Sequence, residues 1–204
     1  MADTAIAPRS SLAGLCVAGR LGQPVGLPGV IVRERTDVAI AAVTARLGQA
    51  GALADKIRLE FGITLPDGPR RVGNGDLGLT WGGPGRWLAT KDRGDGVGLE
   101  RVLASAVGGL ATVVDLGHAL ALLNISGSKV RETLAKGFAI DLHPRAFETG
   151  HTAMTVVAHI PVQITQISNE PAFEILVPRS LAGSFWHWLE AAAAEFGLEV
   201  PASG

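Results

Sequence analysis

Tyrosine is absent from this 204-residue chain, and cysteine occurs once, as Cys16. The missing tyrosine removes one common acid–base group. A single cysteine excludes an internal disulfide framework and any thiolate metal cluster built within the chain. Charge is also scarce: charged residues make up 18% of the chain, with 18 basic against 19 acidic, for a formal net charge of −1. No Lys/Arg run stands out, so the basic footprint that displaces counterions from nucleic acid is missing. No apolar stretch reaches the ~18 residues that a membrane span needs. The first fifteen residues, MADTAIAPRSSLAGL, show no basic region followed by an apolar one, so no secretory signal is read. The expectation is a chain of the cytoplasm, with no nucleic acid and no membrane among its partners. Asn124-Ile125-Ser126 fits a glycosylation sequon, which matters only in a secreted protein.

Hydrophobic residues make up 47% of the chain. That share with so little charge excludes a disordered chain and supplies a proper core at this length. A free monomer tends to keep a more charged surface, so this balance also suits a chain that covers part of its surface with a partner. A core rich in Ala and Gly would produce the same balance.

Residues 1–26 carry Gly, Pro, Ser and Ala without periodicity and read as an extended N-terminal arm. Residues 30–33 and 38–45 are apolar and β-branched, the signature of strands. Residues 49–61 place Ala50, Leu53, Ala54, Ile57 and Phe61 at helical spacing, and Gly62 closes that helix. Residues 77–81 and 86–90 predict two short strands around a Gly-Gly-Pro-Gly turn. A helix follows over 97–107. In the second half, 111–115, 119–125, 152–158, 162–167 and 173–177 predict strands, and 126–136 and 180–196 predict helices. Strand pairs without intervening helices imply an α+β fold: two small subdomains of mixed or antiparallel sheet with helices on one face. The first covers 27–110 and the second 111–204.

Catalytic patterns are harder to find. Gly73-Asn74-Gly75-Asp76-Leu77-Gly78 matches G-x-G-x-x-G. A dinucleotide site needs a strand before that motif and a helix after it; here a strand-like run ending in Trp81 follows. The five histidines are His118, His143, His151, His159 and His187, and none pairs with another at i, i+4 on a plausible helix. His151 and His159 lie on strand-like segments but about 25 Å apart along an extended chain. No Ser sits in a G-x-S-x-G elbow. Cys16 lies in the arm without a fixed base. The sequence therefore assembles no catalytic, cofactor or metal site.

The last helix says more. At about 100° per residue, Leu181, Phe185, Trp188, Leu189, Ala192 and Phe196 share one arc, the expected core face. Trp186 falls beside it and His187 nearly opposite. Trp186 could cap the core edge or anchor a contact, since Trp is enriched at interface hot spots. Arg86, between Trp81 and Trp87, is placed for an exposed contact. Arg86, Trp186 and His187 are the candidate partner-interface residues.

Three runs carry a family resemblance: KGFAIDLHPRAF at 136–147, RSLAGSFWHWL at 179–189 followed by EFG at 195–197, and WGGPGRWL at 81–88. They resemble the gamma subunits of heterotetrameric sarcosine oxidase. That resemblance implies a non-catalytic structural subunit packed directly on a larger alpha subunit, with beta and delta subunits in the same complex. The enzyme so implied oxidatively demethylates sarcosine to glycine, reduces oxygen to hydrogen peroxide and passes the one-carbon unit to tetrahydrofolate. The implied complex carries FAD, covalently bound FMN, NAD and zinc, none of them in this chain. The fold implied resembles the folate-binding fold of the aminomethyltransferase (T-protein) of glycine cleavage. An equivalent subunit of N-methylglutamate dehydrogenase is the alternative, since the substrate site lies on another chain. A stand-alone folate-binding or aminomethyltransferase-like protein is the third reading. The Lys-Gly-Cys-Tyr motif of the folate-binding iron–sulfur repair proteins is absent: Lys136-Gly137 is followed by Phe138-Ala139.

Overall fold

The computed structural model describes residues 10–23, 26–75, 77–93 and 98–202. Two sheets form the molecule. One is five-stranded and wholly antiparallel. In spatial order it contains β4 (Arg71–Gly73), β5 (Leu77–Gly83), β6 (Arg86–Asp92), β3 (Val38–Ala45) and β7 (Ala111–Asp115). The other has seven strands: β1 (Gly19–Leu21), β12 (Leu198–Val200), β2 (Val30–Glu34), β8 (Leu120–Ser126), β11 (Ala172–Pro178), β10 (Ile160–Ser168) and β9 (Thr152–Val157). Among the described strands only β12 and β2 run parallel. The α+β class expected from the sequence is the one observed.

Each sheet carries its helices on one face. Helices α1 (Ala50–Phe61) and α2 (Leu99–Val107) cover the five-stranded sheet, where Leu53, Ile57, Leu103 and Val107 join Ala41, Val43 and Leu79 in one buried cluster. Helices α3 (Val130–Ala135) and α4 (Ala182–Ala193) cover the seven-stranded sheet. Trp186, Phe173 and Phe185 are the largest fully buried side chains there. Burying a side chain of that size contributes on the order of 1.5–3 kcal/mol.

Strand alternation sends the other set of side chains between the sheets. Val38 and Ile40 of β3 meet Leu122 of β8 and Leu176 of β11, with Leu88 and Leu120 at the margin. The molecule is thus layered helix, sheet, sheet, helix.

Several boundaries differ from the sequence reading, each for a local reason. The helix expected over 126–136 is confined to α3, because Ser126 ends β8 and Gly127, at φ +116°, leads residues 127–129 through a turn. The last helix begins as a 3-10 turn at Arg179–Leu181 and ends at Ala193. α1 closes as expected: Gly62 adopts φ +68° and its N–H bonds to the Arg58 carbonyl. Residues 94–97, where the second helix was expected to start, lie outside the described residues.

The sheets do not divide at residue 110. β2 pairs with β8 of the second half, and β7 pairs with β3 of the first. Alternation marks a strand without naming its partner. The arm expected over 1–26 also joins the body from Ser10 onward. The Ser11 hydroxyl donates to Glu34 Oε1 at 2.7 Å, Leu12 is buried in the seven-stranded sheet's core, and β1 pairs with β12.

Candidate functional site

Where the two sheets splay apart, the inner face of the seven-stranded sheet is left partly bare. Met154 and Val156 of β9 point to this face, at 68% and 50% exposure. Their in-register partners on β10, Gln163 and Pro161, extend it. Leu88 and Leu120 close the floor of an apolar trough of about 450 Å³. A second hollow of about 310 Å³ shares Leu88, Met154 and Gln163 with the first and reaches Arg86. Gln163 fixes the sheets relative to each other here by donating to the Trp81 carbonyl at 2.9 Å. A contiguous patch of this kind, rimmed by an arginine, is the ordinary mark of a protein contact.

The expected interface residues are not brought together. Arg86 is exposed at the second hollow, beside the trough. His187 is exposed on α4, on the helix side of the seven-stranded sheet, with its Nδ1 3.3 Å from Glu190 Oε2. Trp186 is fully buried and can touch no partner through its side chain. Trp188 is the half-buried one, tilted against Phe138 and Phe185 at centroid distances of 5.7 and 5.6 Å. The helical arc missed this because α4 is covered on two sides. Leu15, from the arm, lies 3.4 Å from where a Cβ on Gly183 would be, and so shields the flank that carries Trp186. Met154 and Val156 were missed as site residues because an alternating strand shows which residues share a face, without showing which face is covered.

Other expected chemistry resolves into structure. Gly73 and Gly78 face each other across the β4–β5 hairpin, and no helix follows them. Asn74 holds that turn, accepting from the Leu77 N–H and donating to the Phe61 carbonyl. Trp87 is buried and donates to the Pro66 carbonyl at 2.8 Å. His151 packs edge-on against Phe147. Burial pushes the Cys16 thiol up from its usual range, and that keeps it protonated. Among the described residues, no group of three or more His, Cys, Asp or Glu side chains could hold a metal ion. None of their helices is long and apolar enough to cross a membrane.

The paired sheets with outer helices define the class of fold. The arrangement is similar to the glycine cleavage system aminomethyltransferase T from Bartonella henselae, at TM-score 0.65 and 16% identity, over 89% of this chain and 52% of that one. A more specific likeness is to heterotetrameric sarcosine oxidase from Corynebacterium sp. U-96 in complex with pyrrole 2-carboxylate. There the TM-score is 0.77 at 26% identity, over 93% of this chain and 96% of the other. In sequence, the chain is 31% identical to a sarcosine oxidase subunit gamma of Arthrobacter sp., over 92% of this chain and 91% of the relative. It is 30% identical to that of Corynebacterium sp. strain U-96, over 96% and 95%. Residues 45–195 match the sarcosine oxidase gamma subunit family. The chain belongs to that family.

Proposed function

We propose that this chain is the non-catalytic gamma-type subunit of a heterotetrameric sarcosine oxidase of the cytoplasm, and that it completes the surface of a larger alpha subunit. Beta and delta subunits complete the assembly. FAD, FMN, NAD and zinc belong to those other chains, as does the tetrahydrofolate that receives the one-carbon unit. The complex oxidises sarcosine to glycine and reduces oxygen to hydrogen peroxide; this chain supplies shape and contact.

Family membership over most of the chain carries this reading. The apolar trough gives it a physical basis. Met154, Val156 and Pro161 on one side and Leu88 on the other offer a surface that association would remove from water, at about 25 cal/mol per Å² of apolar area. Arg86 at the rim suits the polar border of such a contact. His187, on the far side of the seven-stranded sheet, is assigned to a second, separate contact.

The reading is tested by reconstitution. The alpha, beta and delta chains are expressed with and without this one, and sarcosine-dependent peroxide production is measured. The expected result is no flavin and no activity in this chain alone, and a loss of assembled, active complex when it is omitted. Full activity and an intact assembly in its absence would refute a structural role.

A further inference from the structure

A second cleft, of about 280 Å³, lies between the sheets near the β4–β5 hairpin, with Arg71, Thr90 and Glu174 among its lining residues. Its polar groups are under-used. The Arg71 Nε is buried and makes no hydrogen bond. It lies 3.7 Å from Glu174 Oε2, close enough for attraction but too far for a hydrogen bond. The Arg71 Nη2 reaches Thr90 Oγ1 only at 3.5 Å, the outer limit of such a bond. Glu174 is largely withdrawn from water, its side chain 14% exposed. Directly opposite it on β8, Asn124 also has a buried Oδ1 without a partner. The Arg71 side chain keeps 30% of its surface in water, so the cost falls on its buried Nε and on the Glu174 carboxylate, and the attraction across 3.7 Å only partly offsets it.

The glycine motif maintains this arrangement. A Cβ on Gly78 would stand 2.7 Å from Arg71 Nη2 and 2.8 Å from Thr90 Oγ1. The missing side chain lets the guanidinium lie against the strand backbone, turned toward Glu174. The second half of G-x-G-x-x-G thus serves as a platform for an arginine, and it runs on into β5 rather than a helix.

We propose that this cleft binds a small zwitterionic amino acid, its carboxylate on Arg71 and its ammonium on Glu174. A plain anion would meet Arg71 but face the Glu174 carboxylate beside it, and a plain cation would meet Glu174 but face Arg71. Only a ligand with both charges close together gives the Arg71 Nε and the Glu174 carboxylate a charge-assisted hydrogen bond each. The volume admits an amino acid and excludes a dinucleotide. The Asp92 carboxylate at the rim is already paired with Arg35 at 2.7 Å, so it does not compete for the ammonium.

The test is isothermal titration of the full-length chain with glycine, acetate and methylamine. Glycine is expected to bind, with acetate and methylamine weaker by about tenfold or more each. Glu174→Gln keeps the side-chain shape and is expected to weaken glycine by about tenfold or more. Gly78→Ala, which displaces the guanidinium, is expected to do the same, with circular dichroism verifying that both variants fold. Acetate binding as tightly as glycine would make this a simple anion site and overturn the proposal. Absence of binding by all three would leave the cleft to ordered water, and would also overturn it. Either outcome is independent of whether the chain joins an oxidase.

Discussion

Trp186 is the residue whose environment departs furthest from its pattern in the sequence. It is fully buried, and its indole Nε1 has no hydrogen-bond partner. Trp186→Ala removes a large core side chain and is expected to cost about 3–5 kcal/mol, read from urea unfolding. Trp186→Phe is expected to cost less than half as much, because the lost N–H bonds to nothing and its desolvation penalty is recovered. His187→Ala, one position on but exposed, is expected to stay within about 0.5 kcal/mol of the parent. Equal losses for Trp186→Ala and His187→Ala would contradict the burial described. The helical arc correctly placed Phe185, Leu189 and Ala192 in the core. Trp188, on the same arc, packs against that core half-buried, whereas Trp186, set at the core's edge, is fully buried because the arm that covers its flank has no periodicity of its own.

Elements were legible where the apolar period was full and the stop clear, and β10, the longest strand, was read two residues short at its start. β3, eight residues long, and α1, twelve residues long, stand within a residue of their predicted bounds, since each has a full period of apolar positions and a clear stop. β1, β4 and β12 are three residues each and left no readable alternation. The trough and the cleft were not legible. Both depend on which strands pair across the halves, and β2 and β7 exchange partners in a way no local pattern shows. The β9–β10 hairpin carries a measurable strain. Val157 faces Ile160, so the loop is Ala158-His159, and both sit at positive φ, +47° and +66°. Side chains with a Cβ pay about 1–2 kcal/mol in that region, which Asn-Gly occupies readily. Ala158→Asn with His159→Gly is expected to raise stability by about 1 kcal/mol, part of the relief being offset by the extra freedom of glycine in the unfolded chain. A lower urea midpoint for the double variant would show that the turn is not under strain.

At the scale of the whole molecule, the helices protect the outer faces of both sheets, while the trough between the sheets remains exposed. The low charge and high apolar content noted in the sequence are consistent with that exposure, because a surface destined for a partner needs no charge of its own. Met154 and Val156 are exposed on an edge strand, so Met154→Glu with Val156→Glu is expected to leave the fold's stability within about 0.5 kcal/mol. Placed against an apolar partner surface, the same two carboxylates would be desolvated without counter-charges, and the complex is expected to dissociate. The most direct measurement is size-exclusion chromatography of this chain, tagged and co-expressed with the alpha, beta and delta chains, with flavin absorbance followed across the eluate. The account predicts that the parent chain elutes within a large yellow complex and the double glutamate variant as a colourless free chain. A parent chain that elutes alone and colourless, away from an intact flavoprotein, would contradict it.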